Sequence, residues 1–136
     1  MKGLKVGLWV AQGLLAVAFT GAALMKLTQP YDVLATQQAW VKLFSADVVK
    51  LIGTVELLGV LGLILPSVTR ILPVLTPIAA VGLALTMVGA GLTHLRIGEL
   101  PVPNVILGGL AAFVAWGRFT RAPIAPRGVT PPGLAA

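Results

Sequence analysis

Four long apolar runs dominate the sequence and constrain its fold more than any other feature. They cover residues 4–26, 48–65, 72–94 and 102–119, and each is close to the ~20 residues that cross the hydrocarbon core of a bilayer as a helix. Only 10% of the residues are charged and 57% are hydrophobic, whereas a soluble domain carries roughly a quarter charged residues. We therefore expect the chain to fold with the lipid bilayer as its solvent.

The four runs predict an all-α fold, a transmembrane bundle of four helices over those ranges. Inside a bilayer the backbone must satisfy its own hydrogen bonds, which only helices and closed barrels achieve. The alternating hydrophobicity of barrel strands is absent. We expect one domain over residues 1–121, with a short surface helix within residues 29–47, and a flexible Pro-rich tail over residues 122–136.

The basic residues predict the orientation of the bundle. One side would carry six of the ten basic residues and the other side four, together with three acids. The six are Lys2, Lys5, Arg70, Arg118, Arg121 and Arg127, and the four are Lys26, Lys42, Lys50 and Arg96. Because cytoplasmic loops carry the excess of basic residues, both termini are expected in the cytoplasm. The expected location is the inner cell membrane, crossed several times.

Composition excludes several classes of chemistry. The sequence has no cysteine and one histidine, His94, so disulfides, thiolate sites and a bis-histidine haem are excluded within one chain. We expect no metal site and no intrinsic cofactor. The net charge of +6 does not predict nucleic-acid binding, because the basic residues lie at the ends of apolar runs and form no patch.

Glu56 is the residue that most needs an explanation, because it lies deep inside the second apolar run. Acids at such a depth are costly, usually face the interior of a bundle and mark functional sites. The spacing between Glu56 and three glycines, Gly53, Gly59 and Gly62, is three residues from each to the next. This pattern places a carboxyl group on a ridge of small residues that is suited to close helix packing. Three interpretations stay open: a structural ion pair with Lys26, a pocket for a lipophilic ligand, and proton transfer.

Polar residues from all four helices are expected to meet in the outer half of the bundle. Lys26 ends the first helix, His94 ends the third and Asn104 opens the fourth, all on the side from which the second helix delivers Glu56. We predict that these four residues bind a ligand, with Glu56 and His94 as candidate catalytic residues. Each also has a simpler interpretation: Lys26 can extend to the headgroups, Asn104 can cap its helix, and His94 can lie at the interface without a ligand.

Three stretches of the sequence resemble the DoxX-like family of small four-helix membrane proteins. They are residues 19–27 (FTGAALMKL), 55–66 (VELLGVLGLILP) and 89–96 (GAGLTHLR), and the similarity extends over about residues 4–119. The resemblance implies a membrane subunit or a lipophilic-ligand protein, since the family takes its name from a subunit of a thiosulfate:quinone oxidoreductase. Lys26, Glu56 and His94 match polar positions of these stretches, to which the resemblance assigns no catalytic role.

The sequence supports three functional hypotheses. The first is an accessory subunit associated with oxidoreduction that binds a quinone-like molecule, with electrons supplied from elsewhere. The second is a cofactor-free membrane enzyme of isomerase or hydrolase type, using Glu56 and His94 as an acid–base pair on a lipophilic substrate. The third is a structural or chaperone role, with a membrane protein partner or a second copy recognised by helix faces.

Overall fold

The computed structural model describes residues 2–128 and is helical throughout its regular structure. Its helices are α1 (Lys2–Thr28), α2 (Tyr31–Gln37), α3 (Ala46–Thr69), α4 (Leu75–Arg96) and α5 (Val102–Trp116). A 3₁₀ turn (Ala39–Leu43) follows α2, and a π-helical turn (Gly117–Arg121) extends α5. The helices α1, α3, α4 and extended α5 are each long and apolar enough to span a membrane. The predicted all-α fold with four spans is therefore confirmed.

Two helix boundaries differ from the prediction for reasons of backbone chemistry. Helix α3 does not stop at residue 65 but continues through Pro66 and ends before Arg70, which has a left-handed φ of 59°. Helix α4 begins three positions later than expected, at Leu75. Leu72 has a φ of 47° and precedes Pro73, which disfavours helical geometry in the residue before it.

The bundle consists of two helix pairs, α1 with α3 and α4 with α5, joined through α3–α4 and α1–α5 contacts. We call the end that carries α2, the 3₁₀ turn and the α4–α5 loop the loop end. The opposite end, with the start of α1 and the π-helical turn, is called the terminal end. A buried apolar core, which includes Leu15, Phe19, Leu63, Leu83 and Val114, joins the four helices.

Glycines of α3 set how closely the neighbouring helices approach. A Cβ atom at Gly53 would lie 2.9 Å from Cβ of Lys26 on α1, and one at Gly62 would lie 2.9 Å from Cβ of Ala79 on α4. Such distances are below van der Waals contact, so only glycine fits without movement of a neighbouring helix. The glycine ridge thus packs against α1 near the loop end and against α4 near the terminal end.

The segment between α1 and α3 folds over the loop end. The short helix expected within residues 29–47 corresponds to α2. The Tyr31 hydroxyl donates to the backbone oxygens of Val41 and Phe44, at 3.2 and 2.7 Å, and Leu34, Val41 and Val49 form a small buried cluster. These contacts fix α2 and the 3₁₀ turn relative to α3.

The first residues of the flexible tail expected over residues 122–136 make hydrogen bonds to the turn between α3 and α4. Arg70 donates from Nε to the backbone oxygen of Ala125 at 2.9 Å and from Nη2 to that of Pro126 at 3.2 Å. The backbone N–H of Arg127 donates to the oxygen of Arg70 at 2.7 Å. Residues 122–128 are therefore attached to the α3–α4 turn, because the guanidinium supplies donors that proline-rich backbone lacks. The rest of the expected tail, residues 129–136, lies outside the described residues.

Candidate functional site

A cavity of about 680 Å³ lies between the two helix pairs at the loop end, within the range of roughly 300–1,000 Å³ that is usual for small-molecule sites. All four side chains predicted from the sequence, Lys26, Glu56, His94 and Asn104, line it. The remaining walls are mainly apolar, and the lining residues include Ala18, Phe19, Ala22, Trp40, Phe44, Ile52, Met87, Ala90, Pro103 and Leu107. The structure therefore brings the predicted residues together around one space.

Lys26 and Glu56 form an ion pair in the wall of this cavity. The Nζ atom of Lys26 lies 2.9 Å from Oε1 of Glu56, and the exposed fractions of the two side chains are 11% and 2%. This distance between two opposite charges makes the contact an ion pair. The same ammonium lies 5.6 Å from the centre of the Trp40 ring, within range of a cation–π attraction.

The close approach of α1 and α3 at Gly53 makes this pairing possible. Gly53 lies one turn before Glu56 on α3, and its missing side chain leaves room for the Cβ of Lys26 and the backbone oxygen of Ala23. The Glu56 carboxylate thereby contacts the Lys26 ammonium of the neighbouring helix within the apolar part of the bundle. An ionised acid buried in apolar surroundings requires such a partner.

His94 and Asn104 occupy the opposite wall. His94 Nδ1 lies 3.2 Å from Glu99 Oε2 in the α4–α5 loop. His94 therefore pairs with Glu99, whereas Glu56 pairs with Lys26. The expectation that Asn104 caps its helix is wrong: α5 already begins at Val102, and Pro101 precedes it. The Asn104 amide instead lies in the wall, 3.7 Å from the Met87 sulfur, which is a weak acceptor.

Two threonines of α4 line the cavity but contribute little polarity to it, because their hydroxyls form hydrogen bonds within α4. The hydroxyl of Thr86 donates to the backbone oxygen of Gly82, and that of Thr93 donates to the oxygen of Gly89, both at 2.9 Å. Their hydrogen-bonding capacity is thus directed mainly into their own helix. An apolar chamber with a few convergent polar groups is the usual composition of a site for a small organic molecule.

A second, more polar cavity of about 390 Å³ adjoins the first beside α2. Its lining includes Thr36, Gln37 and Lys42, and it shares Gln38, Trp40, His94 and Glu99 with the main cavity. The Trp40 indole N–H donates to Gln38 Oε1 at 2.7 Å. These shared side chains form the boundary between a polar space at the loop end and the apolar chamber within the bundle.

Sequence reasoning missed a buried polar cluster at the terminal end. Gln12 donates from Nε2 to the backbone oxygen of Leu63 at 2.9 Å and to the Ser67 hydroxyl at 3.1 Å. The Ser67 hydroxyl lies 2.6 Å from that of Thr76. Arg118 donates from Nε to Gln12 Oε1 at 2.8 Å, although the sequence indicated only a surface charge at this position. The continued helix after Pro66 is what delivers Ser67 to this cluster.

Arg118 is 5% exposed. Its Nη1 donates to the backbone oxygen of Ala122 at 3.1 Å, and its guanidinium carbon lies 5.2 Å from the centre of the Trp9 ring. The sequence offered one signal for this arrangement, a glutamine within the first apolar run, which requires buried hydrogen-bond partners.

Comparison with known proteins agrees with the architecture. No curated protein and no solved structure is significantly similar to this chain. The model of the DoxX-like family matches residues 10–117, which include most of the bundle and all four of the predicted polar residues in the cavity wall, Lys26, Glu56, His94 and Asn104. Together with the four apolar helices, this match makes the chain an integral, multi-pass membrane protein, and it belongs to the DoxX-like family.

Proposed function

We propose that this protein is an accessory membrane component associated with oxidoreduction, and that it binds a quinone-like lipophilic molecule in the main cavity. The proposal rests on the composition of that cavity. Its volume suits a small organic molecule, its walls are mainly apolar, and Lys26, His94 and Asn104 contribute hydrogen-bond donors to it. The carbonyl oxygens of a quinone are acceptors, and these side chains can supply donors to them.

The aromatic residues at the loop end support the same class of ligand. Trp40 and Phe44 line the cavity with ring centres 6.0 Å apart and an interplanar angle of 64°, and Phe19 lies on the α1 wall. A flat conjugated ring gains both apolar burial and ring–ring contact among such side chains. The sequence has no cysteine, so no thiol of this chain can supply electrons for quinone chemistry, and the proposal assigns that supply to a partner protein.

The proposed location is the inner cell membrane with both termini in the cytoplasm. This orientation follows from the basic residues near the terminal end, six of the ten in the sequence. It would place the loop end, with the cavity, in the outer half of the bilayer.

The pairing of the titratable side chains favours binding over acid–base catalysis. Glu56 contacts Lys26, and His94 contacts Glu99, so the two candidate catalytic residues are oriented by different partners. An acid–base pair acting on one substrate needs both groups within hydrogen-bond reach of the reacting atoms. Turnover of a lipophilic substrate that is abolished in Glu56→Gln would instead favour the enzyme hypothesis.

Fluorescence of Trp40 provides the test. The double variant Trp9→Phe, Trp116→Phe retains only Trp40, which lines the cavity. In lipid nanodiscs, decylubiquinone is expected to quench this residue in a saturable manner. The matched control, Trp40→Phe, Trp116→Phe, retains only Trp9 at the terminal end and should show only the unsaturable quenching of quinone dissolved in lipid. Identical, unsaturable quenching of both proteins would contradict the proposal.

A further inference from the structure

Helices α3 and α4 touch closely at the terminal end but enclose the cavity at the loop end. A Cβ atom at Gly59 would lie 2.6 Å from Leu83 Cδ2, and one at Gly62 would lie 2.9 Å from Ala79 Cβ. Two turns farther toward the loop end, roughly 10 Å along each axis, the equivalent face of α3 presents Ile52. The equivalent face of α4 presents Ala90, and Ile52 and Ala90 both line the cavity.

The two helices diverge because each is held by a different neighbour at the loop end. Helix α3 stays against α1 through Gly53, where a Cβ atom would meet Lys26 and Ala23. Helix α4 stays against α5, since the position of a Cβ at Gly91 lies 3.6 Å from Pro101 Cβ and 3.8 Å from Asn104 Cβ. The face of α4 that packs on α3 near Ala79 therefore faces open space near Ala90.

Gly89 lies at the edge of this opening. It lines the cavity and is also exposed at the surface of the bundle, and a Cβ atom built on it would meet no atom of residues 2–128 within 4 Å. On α3, Val55 is 45% exposed and lies two turns before the tight contact at Gly62, on the same side of the helix. Both residues are in the membrane-spanning part of their helices, so the opening faces hydrocarbon.

We propose that the gap between α3 and α4 is a lateral opening through which the hydrocarbon tail of the ligand extends into the bilayer. This inference rests on the proposed function and narrows its ligand to amphiphiles with a long alkyl or isoprenoid tail. The adjoining cavity beside α2 is unsuited to such a tail, because its lining includes Gln37, Thr36 and Lys42, and hydrocarbon placed among polar groups gains little from burial.

A bulky residue at Gly89 tests the opening. In the protein that retains only Trp40, Gly89→Phe adds a ring at the edge of the gap, at a position where a Cβ atom would meet no atom of the described residues within 4 Å. Gly82→Phe is the matched control: Gly82 is also exposed and open on α4, two turns nearer the terminal end, and does not line the cavity. Each protein is titrated with decylubiquinone and with the same substituted benzoquinone ring without the decyl tail. Circular dichroism and thermal unfolding report whether each variant folds.

We expect Gly89→Phe to weaken decylubiquinone binding by at least about tenfold and to leave binding of the tail-less ring unchanged, while Gly82→Phe alters neither. Val55→Phe, which narrows the gap from α3, should act like Gly89→Phe and serves if the latter fails to fold. Unchanged decylubiquinone binding in the folded variants would overturn the opening but leave the proposed function intact. Equal loss of both quinones would also overturn it, by placing Gly89 in the ring site. Failure of the parent protein to bind either quinone would remove the proposed function itself.

Discussion

Lys26 of α1 and Glu56 of α3 face each other across a helix–helix contact, with Nζ and Oε1 2.9 Å apart and both side chains largely withdrawn from the surface. Each charge compensates the other in surroundings where neither would be stable alone. Because the pair also lines the cavity, the residues that hold α1 against α3 form part of the proposed binding site.

Removal of one partner of this pair should destabilise the fold more than removal of both. Lys26→Met leaves the Glu56 carboxyl buried without its cation, and we expect a loss of about 3–5 kcal/mol in the free energy of unfolding. The double variant Lys26→Met, Glu56→Gln should recover a large part of that loss. Reversible unfolding in mixed micelles compares four proteins: the parent, Lys26→Met, Glu56→Gln and the double variant. Additive effects of the two substitutions would show that the contact contributes no coupling.

The polar cluster at the terminal end should be equally sensitive to loss of one member. Gln12→Leu removes the acceptor of the Arg118 Nε hydrogen bond and a donor to Leu63, and we expect a loss of about 2–3 kcal/mol, because unsatisfied buried polar groups retain their desolvation cost. Gln37→Leu, a change of the same type at an exposed position of α2, is the control. Equal unfolding free energies for the two variants would contradict the role of Gln12.

The glycine contact between α3 and α4 should tolerate no side chain. Gly62→Ala would place two methyl groups 2.9 Å apart and is expected to cost about 1–3 kcal/mol through forced separation of the helices. Gly82→Ala, at a position where a Cβ atom would meet nothing within 4 Å in the part of the chain that the structure describes, should be neutral or stabilising by up to roughly 1 kcal/mol, since alanine favours helix. Thermal unfolding of the two variants measures the difference. Equal stability of Gly62→Ala and Gly82→Ala would show that the helices can accommodate a methyl group at Gly62 without cost.

The orientation in the membrane can be tested without background, because the sequence contains no cysteine. Ala39→Cys introduces a thiol at an exposed position of the loop end, and Gly3→Cys introduces one at an exposed position of α1 at the terminal end. A membrane-impermeant maleimide should label Ala39→Cys in intact cells and Gly3→Cys only after permeabilisation. The reverse labelling pattern would place the termini outside.

The architecture could be predicted because hydropathy alone determines it. Runs of about 20 apolar residues can only be helices in a bilayer, so the four spans and their approximate limits followed directly. Glu56 could likewise be identified, since a lone acid in such a run demands a partner. An ion pair with Lys26 was one of three interpretations of Glu56 that the sequence left open, and the structure contains that pair.

Other features depended on local geometry that hydropathy does not encode. Pro66 looks like a helix terminus, yet α3 continues to Thr69, where neighbouring helices make an interior proline tolerable. Arg118 looks like a surface charge, yet it is buried because its helix continues in a π-helical turn toward Gln12. The attachment of residues 122–128 through Arg70 is a contact between distant segments, for which one sequence carries no signal.

The central claim is that the cavity at the loop end holds a quinone-like molecule in the membrane. The direct measurement is mass-spectrometric quantification of quinone extracted from protein purified out of quinone-containing membranes, for the parent protein and two tryptophan variants of α4. Ala90→Trp places an indole in the wall of the cavity, whereas Leu85→Trp places the same side chain at a surface position that is 66% exposed. We expect quinone in stoichiometric amounts with the parent and Leu85→Trp proteins and little with Ala90→Trp. Quinone at the level of bulk lipid in all three preparations would contradict the account.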